Sequence, residues 1–146
     1  MLFLSIRPQF VTKIFAGEKR VELRRRKPRL QDGDVVAIYA TSPRCELVGL
    51  ARVAGIRQDT PGSLWKSVKA DAAVDRHQYD SYFEGSQRAI GIVLEHPVAF
   101  KKPAPLEHLR HAWPGFRPPQ GFCYLTPQQA TLIDELRSLS REGGSV

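Results

Sequence analysis

The sequence has few cysteines and no long apolar segment, and both shortages restrict the class of protein. Only two cysteines occur in the 146 residues, Cys45 and Cys123, too few for a disulfide framework or a zinc site built on thiolates. No apolar run approaches the roughly 20 residues of a membrane span. The opening MLFLSIRPQF lacks the basic and apolar regions of a signal peptide. We therefore expect a cytoplasmic protein with buried, reduced cysteines and no membrane partner.

The sequence also lacks the motifs of common nucleotide-binding and hydrolase folds. It contains no glycine-rich phosphate loop, dinucleotide fingerprint or serine–histidine–acid order, and Gly49 and Gly55 fall within or beside predicted strands. We therefore expect no cofactor. No repeat or low-complexity segment interrupts the chain, and its length favours one domain over residues 1–146 with a frayed tail at about 142–146.

Acidic residues are outnumbered by basic ones. The chain has 15 aspartates and glutamates against 22 lysines and arginines, which gives a formal net charge of +7 and a pI near 9.8. This surplus does not bear on the fold, but it favours partners that carry negative charge. Nucleic acid is the first such partner, because its backbone presents a phosphate at every nucleotide.

Periodicity and turn residues predict an α+β fold that begins with a strand and a short helix. The run Leu2–Ile6 is rich in β-forming residues, and apolar residues then recur at helical spacing over residues 9–16. Pro8 suits the first helical turn, and Gly17 suits the terminating position of a helix. After this helix, residues 20–25 alternate as a half-buried strand would.

Further strands and helices follow along the chain. Strands are predicted in the runs VVAIYAT, CELVGLARVAGI, RAIGIVLEHPVAF and FCYL, and the first is apolar on both faces, as in a small barrel. Helices are predicted within residues 60–85, around 106–113 and after Thr126, whose capping box with Gln129 marks the start of the last helix. The apolar stripe of that helix comprises Leu132, Ile133, Leu136 and Leu139.

The segment FAGEKRVELRRRKP sets glutamates among lysines and arginines. On a strand of period two, Glu22, Arg24 and Arg26 project to one side, and Lys19 reaches that side on its long stem. Guanidinium groups suit phosphate recognition, and a carboxylate among them orients an arginine or accepts a hydrogen bond from a base amino group. The alternative is a solvated edge strand whose ion pairs contribute about 0–1 kcal/mol.

The spacing Gly17-x-Lys19-x-x-Glu22-x-Arg24 resembles the G-x-K-x-x-E-x-R signature of the ASCH domain family. The segments SIRPQFVTKIFAGEKRVELRRR, GDVVAIYAT and ELVGLARV are similar, in order, to the family's strand, helix, motif strand and barrel strands. The resemblance implies a small PUA-like β-barrel with flanking helices and a cleft that faces nucleic acid. It also implies RNA binding and, in some members, nuclease activity or deacylation of N4-acylcytidines.

We interpret the chain as a module that binds RNA, another single-stranded nucleic acid or a modified nucleoside in a basic cleft. The cleft residues predicted on this basis are Lys19, Glu22, Arg24, Arg26, Tyr39, Tyr82 and Arg117. The cations would contact phosphates, Glu22 a base edge, and a tyrosine would stack on a base. Arg117 lies in the proline-stiffened loop WPGFRPPQG and would reach the rim. The alternatives are a core position for each tyrosine and a rigid connector for the loop.

A hydrolase is the alternative function, either a ribonuclease or an N4-acylcytidine amidohydrolase, with Lys19 and Glu22 as catalytic residues. Deacylating members of the resembled family carry threonine at the motif glutamate, and Glu22 departs from that pattern. Neighbouring cations favour the charged form of a carboxylate, which makes it a poor base toward water. A metal-dependent nuclease needs several carboxylates, and Glu22 has no acidic neighbour in its strand. His108 and His111 share a helical spacing but have no third ligand, so no metal site is predicted.

Overall fold

A computed structural model describes residues 1–143 of the chain. Within these residues the elements are β1 (Leu2–Ile6), α1 (Pro8–Phe15), β2 (Val21–Arg24), β3 (Val35–Ala40), β4 (Glu46–Asp59), α2 (Pro61–Val68), α3 (Arg76–Phe83), β5 (Ala89–Pro105), α4 (Leu106–Ala112), β6 (Phe122–Tyr124) and α5 (Pro127–Gly143). Of the tail predicted to fray at about 142–146, residues 144–146 lie outside the described residues, and α5 includes the other two.

The strands form one mixed sheet that curls into a half-barrel, in the order β2-β5-β4-β3-β1-β6. β1 and β3 are parallel, and the other neighbouring strands are antiparallel. β2 and β6 are therefore the two edges of the sheet. The arrangement confirms the predicted α+β class with flanking helices, and it confirms that β3, apolar on both faces, is an interior strand.

Helices cover both faces of the sheet. On one face Val11 and Ile14 of α1 pack against alternate side chains of β1, β3, β4 and β5. On the other face Leu109 of α4 and Ile133 of α5 pack against the remaining side chains. The predicted stripe of α5 is too long by one residue, because Leu139 is 50% exposed.

Local signals place the helix boundaries as predicted. The capping box of α5 is formed, with Thr126 Oγ1 accepting from the backbone N–H of Gln129 at 3.1 Å and Gln129 Oε1 accepting from the N–H of Thr126 at 3.0 Å. Gly49 allows two strands to approach closely, since any side chain there would clash with the carbonyl oxygen of Val98.

α2 and α3 form a helical insertion between β4 and β5, as predicted for residues 60–85. Thr60 caps α2 and Asp75 caps α3. Leu64, Val68 and Tyr79 of the insertion pack on the apolar face of β2, so the insertion lies against the motif strand. No helix among residues 1–143 has the length and apolar character needed to cross a membrane.

Candidate functional site

The motif strand β2 separates apolar side chains from charged ones. Val21 and Leu23 pack against α2 and α3. Glu22 and Arg24 line a pocket, as the period-two pattern predicts. This strand was expected to be half-buried, but all four of its residues are buried. Antiparallel pairing with β5 holds it in place.

Lys19, Glu22 and Arg24 form a buried ionic cluster that lines this pocket. Their exposed fractions are 3%, 7% and 8%. Arg24 Nη2 lies 3.2 Å from Glu22 Oε1, and Lys19 Nζ lies 3.9 Å from Glu22 Oε2. With all three groups ionised the cluster carries one surplus positive charge. Because the three groups are buried, this surplus charge is weakly screened and favours an anionic ligand.

Arg24 links two distant parts of the sheet. Its Nη2 donates to the backbone carbonyl of Ser5 in β1 at 2.9 Å, and its Nη1 donates to the carbonyl of Gly121, just before β6, at 3.3 Å. Since Arg24 ends β2, its side chain spans from one edge of the sheet to the strand pair at the opposite edge. The planar guanidinium suits this role, because its donors point in fixed, diverging directions.

Lys19 is positioned by the turn that follows α1. The chain leaves the helix through Gly17, whose φ of +80° is accessible to glycine without strain. Lys19 Nζ then donates to the carbonyl of Ala72 at 2.5 Å and lies 4.9 Å from the centre of the Phe10 ring. Burial lowers the pKa of Lys19 below 10.5; Glu22 opposes this shift, and the charges of Arg24 and Lys13 add to it. The neutral amine is therefore reached at a lower pH than in an exposed lysine.

Three buried polar atoms, two of them in the cluster itself, have no hydrogen-bond partner among the described residues. They are Ser5 Oγ, Glu22 Oε2 and Arg24 Nε, and all three residues line the same pocket. Buried polar groups in proteins are nearly always bonded to protein, water or ligand. These atoms therefore provide a donor and acceptors for a molecule that enters the pocket.

The pocket has a volume of about 730 Å³, within the range of small-molecule sites. One wall comes from the end of β1 and the start of α1, and a second comes from α3. The motif residues, Val74, Thr41 and Gln120 complete the lining. The side chains that bring polar groups to these walls include Arg7, Gln9, His77, Gln78, Ser81 and Tyr82. The surface is mixed in character, as expected for a ligand with both charged and planar parts.

Tyr82 is the predicted stacking residue that the structure places in this pocket. Its residue surface is 39% exposed. The guanidinium of Arg25 lies 5.3 Å from the ring centre and donates through Nε and Nη2 to the carbonyl of Tyr82. Burial raises the pKa of Tyr82, so the ring stays neutral at physiological pH. Arg25 thus holds the end of α3 against β2 from outside the pocket.

Three residues predicted to line the cleft, Arg26, Tyr39 and Arg117, lie outside the motif pocket. β2 ends at Arg24, so the alternation does not carry Arg26 into the pocket; Arg26 is exposed, with its guanidinium 6.0 Å from the Phe122 ring centre. Tyr39 is wrong as a stacking platform, because it is only 2% exposed and packs on Phe3 at 5.3 Å between ring centres. That burial raises the pKa of Tyr39 to about 12.

Arg117 also lies away from the motif pocket. It lines a separate groove between its own loop and α5, together with Trp113, Phe116 and Glu135. The loop therefore contributes Gln120, not Arg117, to the motif pocket. The side chains of Trp113 and Phe116 pack edge to face at 5.0 Å between ring centres, as a rigid connector requires.

Sequence reasoning missed the polar residues that α3 brings to the pocket. His77 and Ser81 lie four apart in α3, the spacing that puts both side chains on one helix face. That spacing is visible in the sequence, but nothing local shows that this face meets β2. His108 and His111 lie exposed on α4. Across the described part of the chain, no group of three His, Cys, Asp or Glu residues is placed to hold a metal ion.

Residues 4–104 match the model of the ASCH domain. The chain belongs to the ASCH domain family. The match includes the whole Lys19–Glu22–Arg24 motif, the helical insertion and nearly all of β5. The PUA-like, ASCH-type fold expected from the motif and its flanking segments is thereby confirmed.

Relatives of this ASCH protein include proteins similar to it over almost their whole length. It is 31% identical over 137 residues to an ASCH domain-containing ribonuclease of Zymomonas mobilis, and the alignment covers 92% of this chain and 90% of the relative. The crystal structure of ASCH from Zymomonas mobilis matches with a TM-score of 0.87 at 30% identity, over 92% of this chain and 94% of the other. A Pseudomonas putida protein matches at a TM-score of 0.59 and 17% identity, over 93% and 98% of the two chains, and shows the fold alone.

Proposed function

We propose that this ASCH protein binds single-stranded RNA and cleaves it, with one nucleotide held in the motif pocket. The observation that carries the proposal is Glu22 Oε2, buried without a hydrogen-bond partner between two cations of the pocket lining. Similarity over most of its length to a protein named as a ribonuclease supports cleavage in addition to binding. On the strength of this similarity we rank the ribonuclease ahead of the binding-only interpretation that the sequence favours.

The pocket suits an unpaired nucleotide better than a duplex. Bases in an A-form helix are stacked and paired, whereas a single strand can turn one base outward into a protein cavity. Tyr82 offers the exposed part of its neutral ring for stacking. Arg24 Nε offers a free donor to a phosphate or base oxygen, and Glu22 Oε2 accepts from a hydroxyl or amino group.

Cleavage at this site uses the 2′-hydroxyl of the bound nucleotide as nucleophile. Burial lowers the pKa of Lys19, and its amine takes the proton of the 2′-hydroxyl as the 2′-oxygen bonds to phosphorus. The bond from phosphorus to the 5′-oxygen of the next nucleotide then breaks, and that oxygen is protonated from water. Glu22 orients Lys19, and Arg24 stabilises the negative charge that builds on the phosphoryl oxygens. The products are a 2′,3′-cyclic phosphate and a 5′-hydroxyl end.

Binding of a labelled single-stranded RNA is expected to weaken steeply with salt. About three phosphate contacts give a slope near −2 in a plot of log affinity against log salt, which is roughly a twentyfold loss between 50 and 200 mM. Fluorescence anisotropy measures this with a 2′-O-methyl RNA that the enzyme is unable to cleave. A duplex of the same sequence is the control, and equal affinity for both would contradict a pocket for an unpaired base.

The same protein preparation distinguishes ribonuclease from amidohydrolase. Incubation with unmodified single-stranded RNA is expected to yield fragments that end in a cyclic phosphate, detected by mass spectrometry. N4-acetylcytidine is expected to remain intact, because Glu22 stands where deacylating relatives carry threonine. Release of acetate without RNA cleavage would reverse this assignment.

A further inference from the structure

A second basic and aromatic surface lies beside the pocket, on the edge strand β6. Phe122 and Tyr124 lie two apart in β6, with ring centres 6.0 Å apart. The guanidinium of Arg26 lies 6.0 Å from the Phe122 ring centre, and that of Arg29 lies 4.7 Å from the Tyr124 ring centre. We call Arg26, Arg29, Phe122 and Tyr124 the β6 strip.

The outer end of the β6 strip is exposed and held in place. Tyr124 is 42% exposed, one of the few large aromatic residues with so much accessible surface. Its hydroxyl accepts a hydrogen bond from the backbone N–H of Arg29 at 2.8 Å. A ring fixed in this way loses little conformational entropy when a planar group stacks on it. Arg26 and Arg29 are both exposed, so their charges are available to a partner.

The β6 strip is continuous with the motif pocket. Gln120 lines the pocket, and the carbonyl of Gly121 accepts from Arg24, so the chain enters β6 directly from the pocket. At about 3.3 Å per residue, Tyr124 lies roughly 10 Å along the strand from Gly121. With stacked nucleotides rising about 3.4 Å each, the strip has the length of roughly three nucleotides.

We propose that the β6 strip binds the RNA nucleotides that flank the one in the pocket, with a base stacked on Tyr124 and phosphates on Arg26 and Arg29. Arginines interleaved with aromatic rings are the combination that single-strand-binding surfaces use, since rings stack on any base and cations follow the backbone. The proposal rests on the proposed RNA function and adds a path for the strand outside the pocket.

The test compares RNA lengths with strip variants. A 2′-O-methyl dinucleotide occupies the pocket alone, whereas an octanucleotide also reaches the strip. Tyr124→Ala is expected to weaken octanucleotide binding about tenfold, within the range for loss of one base stack. Arg29→Gln is expected to weaken it severalfold through loss of a phosphate contact. Neither is expected to change dinucleotide binding. Tyr124→Phe keeps the ring and is expected to bind the octanucleotide within about twofold of the unchanged protein. Arg57→Ala removes an exposed arginine that contacts α2 and serves as the charge control.

The outcomes separate this inference from the proposed function. If the unchanged protein binds neither RNA, both the proposed function and the β6 strip are overturned. If it binds both lengths and the strip variants bind as the unchanged protein does, or lose affinity equally for both lengths, only the strip is overturned. A loss of octanucleotide affinity in both Tyr124→Ala and Arg29→Gln, with no such loss in Arg57→Ala, supports the β6 strip. Thermal unfolding of each variant shows whether a loss reflects the fold; if Tyr124→Ala is unfolded, Arg29→Gln decides.

Discussion

Arg24→Ala is expected to destabilise the fold by about 3–5 kcal/mol, the usual cost of breaking a buried ion pair by removing one partner. The substitution leaves Glu22 without its 3.2 Å partner and removes the donors to the carbonyls of Ser5 and Gly121. It also removes the side chain that joins β2 to the strand pair at the other edge. Urea unfolding followed by circular dichroism measures the change in free energy of unfolding.

Two further substitutions provide controls for this effect, one at a neighbouring arginine and one at Arg24 itself. Arg26→Ala removes an exposed guanidinium whose ring contact is worth about 1 kcal/mol or less. Arg24→Lys keeps the charge but not the forked geometry, so its loss is expected to fall between the two. Equal stability of the Arg24→Ala and Arg26→Ala proteins would mean that the cluster contributes nothing special to the fold.

Lys19→Met is expected to lower the rate of RNA cleavage at saturating RNA by about a hundredfold to ten-thousandfold, the usual contribution of general acid–base catalysis. Glu22→Gln removes the group that orients Lys19 and is expected to lower the rate less. Lys19→Met keeps the apolar stem against Phe10 and removes the amine. Glu22→Gln keeps the shape of the side chain and removes its charge. Glu107→Gln, on the exposed surface of α4, is the matched control and is expected to cleave normally.

The pH profile distinguishes a proton-accepting Lys19 from a merely structural one. Because its pKa is lowered by burial, the cleavage rate should rise with pH and level off below 10.5. Glu22 opposes that shift, so Glu22→Gln should lower the pKa of Lys19 further and move the inflection of its residual rate to lower pH. An unchanged inflection in Glu22→Gln would show that Lys19 is not the titrating group.

Much of the frame around the site could be predicted because its signals are local. Pro8, Gly17 and the Thr126 capping box mark helix ends through backbone chemistry that needs no distant partner. The alternation within β2 likewise separated Glu22 and Arg24 from their apolar neighbours. The same rule failed for Arg26, because the period of two holds only while the chain remains in the strand.

The rest of the site depends on contacts between distant residues. Arg24 bonds to a carbonyl 97 positions away, and Lys19 bonds to one 53 positions away. No local pattern encodes such pairings, so the wall formed by His77 and Ser81 was not foreseen. Tyr39 was misplaced for a related reason: an aromatic residue in a strand looks the same in sequence whether its face meets a pocket or the helices of the core.

Photocrosslinking tests most directly whether RNA occupies the motif pocket. A single-stranded 2′-O-methyl RNA that carries one 4-thiouracil base, and that the enzyme is unable to cleave, is bound to the unchanged protein, and crosslinked peptides are mapped by mass spectrometry. We expect crosslinks in residues 7–10 and 77–82, the two walls of the pocket, with competition by unlabelled RNA. Crosslinks confined to the groove beside Arg117 and α5 would contradict the assignment of this pocket.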